Sequence, residues 1–275
     1  MTKPIAIQGI KGSFHHEVAQ KYFSSKAEVI ECMSFDNAVD NLLQKSTDTM
    51  VMALENSIAG SIIPNYALID NHNLSIVGEY YLDIQHNLLA LKGETLATIK
   101  EVHSHPMALL QCKQFFKDYP HIKLVEAKDT ADVAKQIAED SIKGIAAIAS
   151  KNAAILYHLD VLAESIQTIK HNETRFVIVK RENNNLERKG INKASLKFEL
   201  DHKRGSLATI LNVMSDCKLN LTKIQSLPKI ETPWKYAFFV DVTFDNYKDY
   251  EKAYAIMQIM AENFKVLGEY KNAKT

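Results

Sequence analysis

The sequence predicts an α/β protein of two lobes with a cleft between them, followed by a smaller ferredoxin-like βαββαβ unit. Three observations carry this. Over the first two-thirds of the chain, short apolar runs alternate with amphipathic stretches, and that rhythm builds parallel sheets covered on both faces. Two stretches, 74–92 and 161–180, break it as long extended segments without a helix, as expected of two crossings between lobes. After a polar stretch, 181–193, the order becomes strand, helix, strand, strand, helix, strand, the split order of a ferredoxin-like unit.

The elements follow in turn. "KPIAIQGI" reads as a strand and "SFHHEVAQKYF" as a helix capped by Ser13, with Val18, Ala19, Tyr22 and Phe23 on its apolar face. "AEVIECM" is a strand, "SFDNAVDNLLQK" a helix, and "TMVMALEN" a third strand ending at Glu55. A helix starts near Ser61, with Pro64 in its first turn. Beyond the first crossing, "EVHSH" is a strand and Pro106 opens the helix "PMALLQCKQFFK". "IKLVEA" and "GIAAIAS" are strands; "TADVAKQIAED", capped by Asp129 or Thr130, and "KNAAILYH" are helices. In the last part, "ASLKFEL", "LNLTKIQSLPK", "WKYAFFVDVTF" and "KVLGEY" are strands, and "RGSLATILNVMSDC" and "YEKAYAIMQIMAEN" are helices. There is no repeat and no low-complexity segment.

Composition narrows the function. The chain has 275 residues and a formal net charge of zero, so a general nucleic-acid binder and an anionic-membrane binder are not expected. No apolar run is long enough to span a bilayer, and no signal peptide is read at the N-terminus. Cys32, Cys112 and Cys217 lie far apart, as free thiols of a cytoplasmic protein do. His103 and His105 fall on opposite strand faces. His15, His16, His72, His121, His158 and His202 have no ligand spacing either, so no metal is expected. "GIKGS" lacks the dinucleotide-binding spacing and reads as a turn with close backbone approach.

Candidate site residues stand at strand ends, where ligands of such folds bind. In "HNETRFVIVK", Thr174 and Arg175 head a buried strand, and an arginine fork fits carboxylates. In "TMVMALENS", Glu55 ends a strand, and Asn56 and Ser57 can donate to a carboxylate or cap a turn. Ser104 and His105 end another strand, and Gln111 lies one and a half turns into the helix that follows, whose N-terminus suits an anion.

Seven segments in order then resemble the prephenate dehydratase family with a C-terminal ACT domain: "GIKGSFHHEVA", "LENSIAGS", "HNLLAL", "VHSHPMALLQC", "DTADVA", "AAIASKNAAILYHLDVLAESI" and "NETRF". The chain departs from the family pattern at Ile10, His15 and Thr168. The resemblance implies a periplasmic-binding-protein-like two-lobed dehydratase domain over 1–182, with lobe 1 about 1–80 plus 168–182 and lobe 2 about 81–167. A linker over 183–193 and an ACT domain over 194–275 follow.

The implied reaction is the decarboxylating dehydration of prephenate to phenylpyruvate by a carbon–oxygen lyase of phenylalanine biosynthesis, without a cofactor. Thr174 would meet the leaving hydroxyl with Glu55 as the proton source. Asn56, Ser57, Ser104, His105, Gln111, Arg175 and Phe176 would hold substrate. Arogenate as substrate and a non-catalytic amino-acid sensor stay open.

"LDHKRGSLATILNVM" and "CKLNLTKIQSLP" resemble an ACT site for phenylalanine, implying effector contacts at Gly205, Ser206, Leu207, Asn220, Leu221, Gln225 and Ser226. The family block Glu-Ser-Arg-Pro reads Gln225-Ser226-Leu227-Pro228 here, without its charges. A homodimer or homotetramer is implied.

Overall fold

A computed structural model describes residues 3–182, 188–201, 203–229 and 235–274. Part of the expected linker (183–187), His202 and the expected strand start at Trp234 lie outside the described residues. The chain forms two compact units, residues 1–60 with 82–176, and residues 61–81 with 177–275.

The alternating first part gives β1 (Ile5–Gln8), α1 (Phe14–Tyr22), β2 (Val29–Cys32), α2 (Phe35–Leu43) and β3 (Thr49–Asn56), then a short β4 (Gly60–Ser61), α3 (Ile63–Asn71) and β5 (Ser75–Asp83). The next block is β6 (Asn87–Ala90), β7 (Glu101–Ser104), α4 (Pro106–Cys112), β8 (Lys123–Glu126), α5 (Thr130–Glu139), β9 (Ile145–Ala149), α6 (Lys151–Tyr157), β10 (Asp160–Ala163) and β11 (Glu173–Lys180). The caps come from short polar side chains. Ser13, Ser34 and Ser150 each accept an N–H three residues on, and Asp129 accepts those of Ala131 and Asp132.

One sheet has the order β2-β1-β3-β11-β5, with β4 on β3. A second has the order β10-β6-β9-β7-β8. Neither expected crossing is one continuous strand: the first divides into β5 and β6, the second into β10 and β11. The second sheet is mixed rather than parallel. β7 runs parallel to β8 and β9, while β6 is antiparallel to β9 and β10. Strand alternation covers both its faces: Leu88, Ala90, Val102 and Ile148 pack on the α4 side, and Leu89, Ala147 and Ala149 on the side of α5 and α6.

Two helices differ from expectation. The helix opened by Pro106 stops at Cys112, and Phe115–Asp118 form a separate 3₁₀ turn. On α1, the buried face is His15, His16, Val18 and Ala19, while Tyr22 and Phe23 stay largely exposed.

The C-terminal part runs β12 (Lys193–Glu199), α7 (Ser206–Asp216), β13 (Asn220–Pro228), β14 (Tyr236–Thr243), α8 (Tyr247–Met260) and β15 (Glu262–Tyr270). Its antiparallel sheet has the order β13-β14-β12-β15, the ferredoxin-like order. Ala194, Leu196 and Phe198 of β12 pack in the core formed with α7 and α8. The alternate residues Lys193, Ser195 and Glu199 are also buried. They are matched within the same unit: Lys193 Nζ lies 2.8 Å from Glu79 Oε2, Ser195 bonds Asp241, and Lys229 Nζ bonds Glu199 at 2.8 Å. This second face of the sheet is a layer of paired polar groups.

His15 makes a stability prediction. Its ring lies edge-on to Phe35 and Phe176, with centroids at 5.4 and 5.0 Å. Burial holds its pKa at about 3 against an ordinary 6.5. Between those values the unfolded chain binds a proton that the folded chain does not, so stability falls as pH falls below 6.5, by about 1.4 kcal/mol per pH unit. His16 and His86, also lowered by burial, act in the same direction. In urea titrations from pH 7 to pH 4.5, His15→Leu should lose stability less steeply than the parent, by about one proton's slope. Equal slopes would contradict a buried neutral His15.

Candidate active site

The end of β3 and the start of β11 are spliced by two bonds: Ser57 N–H donates to the Glu173 carbonyl at 2.8 Å, and Glu173 N–H to Ser57 Oγ at 2.9 Å. Ser57 thus holds backbone. Asn56 does two things at once. Its Oδ1 accepts from Ile58 N–H at 3.0 Å and Ala59 N–H at 2.8 Å, a turn cap. Its Nδ2 donates to Thr174 Oγ1 at 2.9 Å and to Asn172 Oδ1 at 2.7 Å.

The chain of bonds continues. Asn172 Nδ2 donates to Gln111 Oε1 at 2.9 Å, and His86 Nε2 lies 2.9 Å from the same oxygen. Four residues from four separate segments are therefore linked to Thr174. The crossing segments that carry two of them are clasped by two backbone bonds and one from backbone to side chain. Ile84 N–H donates to Asn172 O at 2.6 Å, His86 N–H to Gln167 Oε1 at 3.0 Å, and Ile166 N–H to His86 O at 2.8 Å. Thr168 donates through both N–H and Oγ1 to the Gln111 carbonyl.

Among the described residues, Asn56 is the only side chain bonded to Thr174 Oγ1. Asn56 Nδ2–H is donated to a lone pair of the oxygen, so the threonine O–H remains available as a donor. Thr174 is 7% exposed, and in such surroundings a hydrogen bond is stronger than in water.

The other expected site residues are placed as follows. Glu55 precedes Asn56 on β3 and by strand alternation leaves from the opposite face, as Arg175 does from Thr174. Arg175 is 3% exposed. Phe176, expected on substrate, is buried and lies edge-on to the His15 ring. Ser104 is fully buried and its hydroxyl donates to the Ile148 carbonyl at 2.7 Å, tying β7 to β9. His105 caps α4, its Nδ1 accepting from Met107 N–H at 3.2 Å. Neither belongs to the chain that reaches Thr174, whereas Gln111 is central to it.

The sequence reading missed Asn172 and His86. Both are polar residues just outside buried strands, the one available signal. The turn reading of "GIKGS" holds. Gly12 has φ +91°, and a Cβ there would meet Ala153 Cα at 3.2 Å. Ser150 Oγ donates to Gly12 O, and Tyr157 OH to Lys11 O, both at 2.6 Å.

Of the expected effector residues, Gly205 has φ +85° and precedes α7. Ser206 and Leu207 line a cavity of about 140 Å³ with Leu200, Lys203, Tyr236 and Phe238. Asn220, Leu221, Gln225 and Ser226 lie along the edge strand β13, where Gln225 Nε2 donates to the Ser226 carbonyl at 3.0 Å.

The three cysteines are free, and burial raises the thiol pKa of Cys32, and that of Cys112 to about 12. Among the described residues no cluster of His, Cys, Asp or Glu is arranged for a metal ion, and no helix is long and apolar enough to cross a membrane.

The family model for prephenate dehydratase matches residues 5–184. The chain belongs to the prephenate dehydratase family. It is 36% identical over 246 residues to "Arogenate dehydratase/prephenate dehydratase 2, chloroplastic" of Arabidopsis thaliana, covering 86% of this chain and 64% of that protein. It is 31% identical to the bifunctional chorismate mutase/prephenate dehydratase of Aquifex aeolicus, covering 98% of this chain and 74% of that one. The chain therefore spans a little under two-thirds of the Arabidopsis relative. A crystal structure of prephenate dehydratase from Arthrobacter aurescens in complex with L-Phe superposes with a TM-score of 0.89 at 26% identity, covering 98% of this chain and 90% of that chain. The fold is thus the mixed α/β architecture of prephenate dehydratases, with periplasmic-binding-protein-like lobes and an ACT-like sheet.

Proposed function

We propose that this chain catalyses the decarboxylating dehydration of prephenate to phenylpyruvate, a step toward phenylalanine. The observation that carries the reading is Asn56 bonded to Thr174 Oγ1 with the threonine O–H free. Prephenate is a dianion that becomes aromatic when carbon dioxide and the ring hydroxyl leave. The electrons of the breaking carbon–carbon bond enter the ring as the carbon–oxygen bond breaks. The departing hydroxide leaves as water once it gains a proton. Expelling that oxygen is the barrier, and a donor aimed at it stabilises the charge that develops there.

Thr174 is that donor in this reading. The amide of Asn56 polarises the hydroxyl and holds it in place, but an amide N–H does not relay protons, so the proton of the departing water comes from another source. Glu55, on the other strand face, is kept as a proposed acid acting from outside the Thr174 bond. Gln111 offers its amide N–H₂, which has no partner among the described residues, to a substrate oxygen. Asn56, Ser57, Ser104 and His105 build the frame of the strand ends, and Arg175 answers a substrate carboxylate or holds the strand head.

The direct test is purified protein with prephenate, followed by the ultraviolet absorbance of phenylpyruvate in alkali. Product formation at catalyst level is the expected result, and none at all would leave the amino-acid sensor standing. A relative named for both substrates favours a second reading, arogenate, whose amino group replaces the keto oxygen. Rates on the two substrates side by side decide between them.

The domain division we propose is a dehydratase domain over 1–182, a linker over 183–193 and an ACT domain over 194–275 that binds phenylalanine. The turn at Gly205, the cavity beside Ser206 and Leu207, and a relative solved with L-Phe support it. The exposed edge strand β13 supports pairing into a homodimer or homotetramer. Three free thiols support a cytoplasmic location. Phenylalanine should stabilise the fold in a dose-dependent way, by about 2.7 kcal/mol at a hundredfold excess over Kd, read as a rise in Tm. A flat titration to millimolar concentrations would remove the effector from the proposal.

A further inference from the structure

We propose that His86 is a positioning residue for the reaction, acting through Gln111. The inference rests on the dehydratase reading of the site and adds to it a residue, a tautomer and a direction of hydrogen bonding.

The direction follows from one anchored end. Asn56 Oδ1 accepts from two backbone N–H groups, those of Ile58 and Ala59. Backbone donors cannot reverse, so the Asn56 amide cannot flip. Its Nδ2 must therefore face Thr174 and Asn172. Asn172 must then turn Oδ1 to Asn56 and Nδ2 to Gln111. Gln111 must present Oε1 to Asn172, and that same oxygen lies 2.9 Å from His86 Nε2. A carbonyl oxygen only accepts, so His86 carries its proton on Nε2. The tautomer of a histidine on one crossing segment is thus dictated by two backbone amides after β3.

The opposite nitrogen agrees. His86 Nδ1 is buried without a hydrogen-bond partner among the described residues. A proton there would lose its water and gain nothing, so the ring stays neutral. Burial lowers its pKa, as this requires. Its backbone N–H bonds the Gln167 side chain and its carbonyl accepts from Ile166 N–H, and the Phe14 ring packs on the imidazole at 5.8 Å.

The consequence lies at Gln111. Two donors converge on Oε1, from His86 and Asn172, and fill both lone pairs. A flipped amide would set N–H against N–H at both. The Gln111 N–H₂ therefore has one permitted direction, and it is the group left for substrate. Without His86, one lone pair is empty and only the Asn172 bond holds the amide in that direction.

Four variants test this. His86→Leu removes the donor, and His86→Gln returns an N–H near the ε position. With wild-type turnover of prephenate as the control, His86→Leu should lower kcat/KM by about 10- to 100-fold, while His86→Gln should recover most of it. Gln111→Ala and the double variant complete a cycle. If His86 acts through Gln111, the double variant loses little more than Gln111→Ala alone. Additive losses, or His86→Leu at wild-type kcat/KM, would overturn the proposal.

A second measurement does not depend on activity. Nitrogen-15 spectra of the full chain at pH 7 should show His86 neutral with its proton on Nε2, and Gln111→Ala should release that preference. A proton on Nδ1, or an imidazolium, would overturn the assignment even in an active enzyme. A wild-type protein that fails on prephenate but shows this tautomer would sink the substrate and leave the hydrogen-bond assignment intact.

Discussion

Thr174→Ala should lower kcat by about 10²–10³-fold, the loss expected when one donor to a developing oxyanion is removed. KM should move only a few-fold, because the bond is made chiefly as the ring oxygen departs, which is the signature of an interaction confined to the transition state. Thr174→Ser keeps the hydroxyl and should retain much of the turnover, losing only the methyl contacts that orient it. Asn56→Ala should fall with Thr174→Ala rather than add to it, since Nδ2 acts on Oγ1 at 2.9 Å. The measurement is steady-state turnover of prephenate together with Tm for each variant. A Thr174→Ala enzyme near wild-type kcat would end the case for this residue, whatever the fate of the fold.

The largest loss of stability should come from the buried ion pair of Glu79 and Lys193, both in the second unit. Their side chains are 0% and 4% exposed, and Lys193 Nζ reaches the two carboxylate oxygens at 3.0 and 2.8 Å. The Ala273 N–H also donates to Glu79 Oε1, and Lys193 Nζ also reaches Tyr81 OH. Lys193→Met leaves a carboxylate in a low dielectric with its counter-charge gone, a change that costs about 3–5 kcal/mol. The double variant Lys193→Met with Glu79→Leu removes both charges and should return most of that loss, since hydrophobic replacements of buried pairs are often near neutral. Chemical denaturation of the parent, the single and the double variants reads this directly. A Lys193→Met protein as stable as the parent would mean that the pair is hydrated in solution.

These two predictions differ in how far sequence reaches them. Thr174 could be singled out in the sequence because its neighbours form a recognisable block and because a hydroxyl at a strand head is a local feature. Ser13, Asp129 and Pro106 were legible for the same reason: a cap or a first-turn proline acts within a few residues of itself. Lys193 was not. On β12 it alternates with Ala194, Leu196 and Phe198, the pattern of a strand with one wet face, and nothing local says that Glu79 and Asp70 cover that face. Lys197 Nζ meets Asp70 Oδ2 at 2.9 Å across a long stretch of chain.

The site divides the same way. Asn56 and Gln111 were read as substrate ligands, and both are also members of a hydrogen-bonded chain that reaches Thr174. Asn172 and His86 escaped notice because an asparagine and a histidine outside strands resemble turn residues until their partners are known. Asn56 and Asn172 are 116 positions apart in the chain, yet their amides lie 2.7 Å apart. Glu55 was read as the proton source from its place at the end of a strand, and that place alone did not say that it leaves from the face opposite Asn56.

By itself, the order of apolar runs, caps and turns determined the strands and helices, the split ferredoxin-like order at the C-terminus and the family, because each depends on periodicity or on groups close in the chain. Only the tertiary structure decided which polar groups meet: the direction of the amide chain, the proton on His86 Nε2 and the buried charged face of β12. Hydrogen bonds and ion pairs have short range and fixed polarity, so their pattern exists only once distant segments have been brought within about 3 Å of one another.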